Sequence, residues 1–125
     1  MAAARVASLA TINDDGGADL VPVTFALDRD TFVTAVDHKP KRTTELRRLH
    51  NVRERPDVTV LVDHYDDDWS ALWWVRLRGT ARVAQPGGVD LSPLIAKYEQ
   101  YRERPPAGPA IVVAVSDWRW WSPAT

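Results

Sequence analysis

Lys39, Lys41 and Arg42 crowd around Pro40 at a junction, where a strand-like run ends at Val36 and a helical period begins. Cations there could hold a phosphate, because the exposed N–H groups of a helix start already favour an anion and Lys and Arg add full charge and directed donors. The placement is otherwise unfavourable. Cations at a helix N-terminus cost a few tenths to about 1 kcal/mol unless an anion joins them, whereas Arg47 and Arg48, further along, are better placed. A solvated charged loop is the competing reading. Later in the chain comes WWVRLRG, with Trp73, Trp74, Arg76 and Arg78 in close succession. Strand alternation would set Trp74 and Arg76 on one face and Trp73 on the other, so that an indole for stacking lies beside a guanidinium for an anion.

The remaining polar groups offer less. His38 and His64 each follow an Asp at a strand end and His50 falls on the helical segment, a spacing that gives a three-histidine metal site no support. Asp66, Asp67 and Asp68 lack the spaced ligands and the glycine of a calcium loop and read as solvated charge, so no metal is expected. Tyr65 and Trp69 flank these acids in a loop that is either a lid or a polar turn anchored by an aromatic. Hydrolase elbows, Walker loops and Rossmann glycine motifs are absent, and no catalytic side chain can be assigned. The chain has no cysteine, which removes disulfides, thiolate metal sites and cysteine nucleophiles and fits a cytoplasmic protein.

The elements that must position these residues are mostly strands. Residues 5–12 and 18–27 read as a hairpin across Asn13-Asp14-Asp15-Gly16-Gly17, whose residues tolerate positive φ. Pro22 removes a ladder donor and marks an edge or a bulge. Residues 31–36 return after the turn Asp28-Arg29-Asp30, which predicts a three-stranded meander. Residues 40–52 are helical, with Leu46, Leu49 and Val52 on one side and Glu45, Arg47 and Arg48 on the other. Strands over 57–63, 72–84 and 110–115 and a helix over 91–101 complete the reading. The terminal DWRWWSPAT is left without an element. Six strands and two helices are too few helices for a parallel α/β fold and predict an antiparallel barrel. Along 72–84, Trp73, Val75, Leu77, Ala81 and Val83 form the core face. Trp74, Arg76, Arg78, Thr80 and Arg82 form a face that must meet solvent, another subunit or an anionic ligand.

The succession DHKPKR, a short helix ending in LHNV, a strand ending LVDHY, then DWSALWWVRLRG resembles the pyridoxamine-phosphate-oxidase-like split β-barrel proteins, over residues 5–121. Within them it is most similar to the actinobacterial branch of coenzyme F420-dependent enzymes. The resemblance implies a mainly β, antiparallel FMN-binding split barrel with two short helices. It further implies a homodimer with the cofactor at the subunit interface, and oxidoreductase chemistry in which F420 exchanges a hydride with a small-molecule substrate. Cofactor binding is carried to Val36, Lys39, Lys41, Arg42, Trp74 and Arg76, with the match closest at Lys41 and Arg42. The same fold using FMN as oxidase or reductase is the first alternative, and a non-catalytic flavin or haem carrier, with His38 or His64 as axial ligand, is the second. Members carry a helix ahead of the first strand, where this sequence starts almost at once with strand pattern.

Length and composition agree with one such domain over residues 1–125. At 125 residues, with 45% hydrophobic and 26% charged, the chain has room for a single core. It has no apolar run of about 18 residues, which argues against a membrane span. A net charge of −1 argues against nucleic-acid binding, since affinity for a phosphate backbone needs an excess of cations over a face. Six tryptophans exceed what so small a barrel can bury, and some should line a pocket or a subunit interface.

Overall fold

The computed structural model describes residues 1–36 and 43–123, with side chains described for all of these except residues 43–46. Strand β1 (Ala7–Ile12) pairs with β2 (Ala18–Val23) as the antiparallel hairpin expected from the turn residues. Asn13 Oδ1 accepts from the N–H groups of Asp15 and Gly17, both at 3.0 Å, and Gly16 takes the positive φ of 84° that a side chain would resist. Strand β3 (Ala26–Asp28) pairs with β4 (Thr31–Ala35), and Arg29 at φ 56° makes the turn between them.

Residues 18–27 do not form one strand. The run breaks at Thr24-Phe25, and its two halves lie at opposite edges of a seven-stranded sheet ordered β2-β1-β5-β6-β7-β4-β3. The expected three-stranded meander is therefore replaced by two separate hairpins. Val23 and Ala26 are three residue steps apart and can be at most roughly 11 Å from each other. The linked ends of the two edge strands must consequently lie close together, which curls the sheet towards a barrel. Phe25 turns inward at the corner, fully buried, and stacks on Phe32 with centroids 5.3 Å apart. Pro22 sits on β2, an edge strand of the sheet, where a residue without a backbone donor is tolerated.

The long strands β5 (Asp57–His64), β6 (Trp73–Ala84) and β7 (Ala110–Trp121) form the middle of the sheet. β7 runs on through the terminal tryptophans instead of stopping at Val115, and pairs with β6 from Ala84↔Ala110 to Trp74↔Trp121. Its ladder carries a bulge, since Arg78 faces Asp117 while Gly79 faces Val115, leaving Ser116 over. Gly79 is required there: a Cβ would lie 2.3 Å from the Ala114 carbonyl oxygen and 2.7 Å from Val113 Cγ1. Alternation along β6 follows the expected faces, with Leu77, Gly79 and Ala81 buried and Arg78, Thr80 and Arg82 exposed.

Inward side chains of β1, β5, β6 and β7, among them Leu9, Val60, Leu77 and Val113, make the barrel core. Helix α1 (Thr43–Glu54) adds Leu49 and Val52 to that same cluster. A second cluster lies outside the barrel, where Leu94 and Tyr98 pack on Ala26, Val33, Ala84 and Val112. The helix expected over 91–101 is two helices, α2 (Ser92–Lys97) and α3 (Glu99–Glu103), because Tyr98 between them is extended at φ −114°, ψ 123°. That break lets Tyr98 reach the barrel corner. Its hydroxyl donates to the Arg5 carbonyl at 2.8 Å, with the Phe25 carbonyl at 3.2 Å, and accepts from the Phe25 N–H at 3.1 Å. The fold is thus the antiparallel split barrel, with seven strands and, among the described residues, three α-helices.

Candidate functional site

β6 and β7 turn outward a row of cations and indoles. Trp74, Arg76 and Arg78 on β6 stand opposite Trp121, Arg119 and Asp117 on β7. On the other flank, β5 offers Asp63, Leu61 and Thr59 to the same three residues. Arg78 facing Asp117 is a favourable rung, and Arg119 Nε also reaches Asp117 Oδ1 at 3.6 Å. Arg76 facing Arg119 is not favourable, because like charges directly opposite in a ladder repel. Arg76 is half-buried, and its Nε is buried with no hydrogen-bond partner among the described residues. A buried cationic donor left unpaired is costly, and the groups that relieve it are anions or carbonyls brought from outside. Trp121 is 45% exposed beside this pair, enough indole surface for stacking. A cleft of about 380 Å³ continues the face past Arg78, along Asp57, Thr59, Thr80 and Ser116.

Arg119 and Trp121 are absent from the residues singled out in the sequence. The signal that could have found them is the alternation Asp117, Arg119, Trp121 against Trp118 and Trp120, which has the two-residue period of a strand. Trp118 lies on the inner side, partly buried against the core, with its Nε1–H donated to Asp30 Oδ1 at 3.1 Å. Trp73 is likewise packed on the core, and His64 stacks on it with centroids 6.1 Å apart.

Of the predicted binding residues, Trp74 and Arg76 share this outer row. Val36 lies elsewhere. Its side chain is 2% exposed within the barrel core and its N–H donates to the Pro109 carbonyl at 2.9 Å, so neither is available to a ligand. Lys39, Lys41 and Arg42 fall outside the described residues, as does His38. Val36 and Arg76 also lie apart along the sheet. Ala35 pairs with Ala110 at one end of β7 and Arg76 with Arg119 nine residues further along, which is roughly 30 Å of strand.

His50 and His64 and several acids have local partners. His50 Nε2 lies 3.0 and 3.1 Å from the two carboxylate oxygens of Asp14, which also accepts from Arg55 Nη1 at 2.9 Å. Hydrogen bonds from His50 and then Arg55 hold the Asp14 carboxyl below its usual range. Asn51, fully buried, donates from Nδ2 to Thr11 Oγ1 at 3.0 Å and Asp19 Oδ2 at 2.9 Å, which fastens α1 to the β1–β2 hairpin. In the acidic loop, Asp66 accepts from the Asp68 N–H at 2.8 Å, and Asp68 accepts from the backbone and hydroxyl of Ser70 at 3.1 and 2.6 Å, shaping a 3₁₀ turn over Trp69–Ala71. Among the described residues no cluster of three or more His, Asp or Glu could hold a metal ion, and no helix is long and apolar enough to cross a membrane.

Solved structures share this architecture. A conserved hypothetical protein from Mycobacterium tuberculosis superposes with a TM-score of 0.74 at 18% identity, covering 95% of this chain and 78% of that one. A Listeria innocua protein described as a pyridoxamine 5'-phosphate oxidase gives 0.68 at 17% identity, covering 94% and 88%. A haem-binding protein from Mycobacterium smegmatis gives 0.71 at 20% identity, covering 96% of this chain and 50% of that one. A search of curated protein sequences found no match. At these identities the likeness concerns the fold. The family comes from the sequence itself: residues 1–122 match the model for pyridoxamine 5'-phosphate oxidase, and the chain belongs to that family of split-barrel proteins.

Proposed function

We propose that this protein is a homodimeric oxidoreductase that binds a deazaflavin, coenzyme F420, between its subunits and acts on a small electron-poor organic molecule. The observation that carries the reading is Arg76: a half-buried guanidinium whose Nε has no partner among the described residues, set opposite Arg119 and one rung from Trp74 and Trp121. That combination fits the anionic and aromatic parts of a flavin-like cofactor. Bound there, the cofactor supplies hydride chemistry, so a catalytic triad or metal cluster is not needed. The chain's own part is to neutralise the phosphate charge through Lys39, Lys41 and Arg42, to offer Trp74 and Trp121 as stacking surface, and to exclude water from the seam.

The separation along β7 favours two chains over one. About 30 Å of strand lies between the level of Val36 and that of Arg76, and a two-fold axis can set the Arg76 row of one copy against the segment around residue 36 of the other. The exposed Trp121 and Leu61 on the same outer face suit such a contact. F420 is preferred to FMN on the similarity of DHKPKR and DWSALWWVRLRG to the F420-dependent branch, and Arg76, Arg78 and Arg119 together suit a longer anionic tail. Arg47 on α1 is not part of this row and lines a cleft over β2 beside Asp19.

Parallel fluorescence titrations with F420 and FMN test the proposal. F420 should bind at least about tenfold more tightly, a difference of about 1.4 kcal/mol. Equal or tighter FMN binding would transfer the reading to a flavin enzyme of the same fold. A haem carrier is the other reading, favoured by the haem-binding protein of the same fold and by His64 at the end of β5. A Soret band in the purified protein that vanishes in His64→Ala would establish it instead.

A further inference from the structure

A second basic site lies away from the β5–β7 outer face, where α2 and α3 cover the barrel corner. It is a groove of about 670 Å³ bounded by Arg5, Val6, Thr24, Lys97, Tyr101 and Arg102, with Glu99 on its wall. Three of these are cations, brought from the segment before β1, from the end of α2 and from α3. Each is held in place by a carbonyl. Arg5 Nη1 donates to the Lys97 carbonyl at 2.7 Å, Arg102 Nη1 to the Ala96 carbonyl at 2.7 Å, and Lys97 Nζ to the Phe25 carbonyl at 2.9 Å. Lys97 Nζ also sits 3.6 Å above the centre of the Phe25 ring.

Carbonyls orient these groups without neutralising them. Among the described residues no carboxylate lies within ion-pair distance of Arg5, Lys97 or Arg102, and Glu99 is unpaired with them. Burial, and then the charge of Arg5, lower the Lys97 ammonium to a pKa of about 8. The groove therefore carries two permanently charged guanidiniums and an ammonium that is charged below about pH 8, against one acid, each guanidinium retaining donors beyond the one that anchors it. Tyr98 and Tyr101 bring no competing free acceptor, because the Tyr98 hydroxyl is engaged at the corner and that of Tyr101 by Thr24 Oγ1 at 2.8 Å.

We infer that this groove is a second binding site, for a compact organic dianion carrying phosphate or paired carboxylates, distinct from the outer face of β6 and β7. Its occupant would bridge the segment before β1, the end of α2 and α3, and so brace the corner at which the barrel closes. None of its residues belongs to the row around Arg76, so the site stands whether or not that row binds F420.

The test is NMR of arginine Nε–H groups in the full-length protein titrated with pyrophosphate, with citrate as a second arm to separate phosphate from carboxylate preference. Pyrophosphate should move the Arg5 and Arg102 signals to a common affinity and raise the melting temperature. Arg102→Gln should weaken that response at least about tenfold, while Arg76→Gln, which alters the other face, should leave it intact. Arg102→Lys keeps the charge and should bind within a few-fold of the unaltered protein. Arg5 and Arg102 signals unmoved by millimolar pyrophosphate and citrate would overturn the inference. So would an equal loss in Arg102→Lys and Arg102→Gln, since the effect would then lie in the cap on α2 and not in the charge.

Discussion

Arg76→Leu should move stability and cofactor binding in opposite directions. Without a ligand, Arg76 Nε is buried and has no partner among the described residues, and its charge faces Arg119 across the ladder. A buried unsatisfied donor costs about 1–3 kcal/mol and a like-charge rung several tenths more. Leucine removes both terms and adds an apolar neighbour for Leu61 on β5. Part of this gain is offset by the lost aliphatic packing of the arginine stem, which leaves a net stabilisation of about 1–2 kcal/mol. For a chain of 125 residues that raises the melting temperature by roughly 3–10 °C. In the loaded protein the same change removes a charge-assisted contact worth about 1.5–3 kcal/mol, so cofactor affinity should fall by roughly 10–150-fold. The assay is a thermal melt of the cofactor-free protein beside a fluorescence titration, with light scattering to follow assembly. A lower melting temperature together with undiminished cofactor affinity would refute the reasoning. Arg76 would then be satisfied by protein groups, at the dimer seam or within the fold, and not by the ligand.

Lys41→Ala with Arg42→Ala should lower cofactor affinity at least about a hundredfold while leaving the melting temperature nearly unchanged. Arg53→Ala, an exposed cation in the last turn of α1, serves as the control in the same titration. Tyr98→Phe strips the Phe25 N–H of its only hydroxyl partner inside a fully buried corner. It should destabilise the fold by about 2–3 kcal/mol, read as a lower urea midpoint with an unchanged slope. Acid should act through Asp14 and Asp19. Their carboxyls are held below the ordinary 3.8, first by hydrogen bonds from His50 and Asn51 respectively. Both therefore contribute stability above pH 3.8 that is lost as the pH falls through their lower folded values, and Asp19→Asn should flatten the dependence of the urea midpoint on pH in that range.

Features set by neighbours along the chain were legible from residue types alone. The turn at Asn13–Gly17 is dictated by an asparagine whose side chain caps two N–H groups and by a glycine at positive φ. The two faces of β6 follow from strict alternation of cations with aliphatics, and the barrel class from many short strands with few helices. The resemblance at DHKPKR and WWVRLRG reached the family because these short runs are local signatures. What it could not reach was the company those runs keep. Tyr98 looked like one residue of a helix, yet it is extended, because its ring and hydroxyl are better satisfied at the barrel corner than in a continuing turn. The terminal DWRWW looked unplaced, since its pattern is short and its pairing partner, β6, lies more than thirty residues back.

By itself the sequence determined most of the extended segments, the turns at Asn13–Gly17 and Asp28–Asp30, and which faces are apolar. All of these depend on steric preference and charge within a few residues. Tertiary structure alone decided that residues 18–27 split between the two edges of one sheet, because the curl that lets one short link join those edges belongs to the whole sheet and no local preference encodes it. It also decided that Arg76 meets Arg119, through a ladder register shifted by the bulge at Gly79. The same ladder sets Val36 and Arg76 roughly 30 Å apart along β7. Closeness in sequence constrains position only over a few residues, whereas an antiparallel strand carries the chain away at a fixed rise per residue.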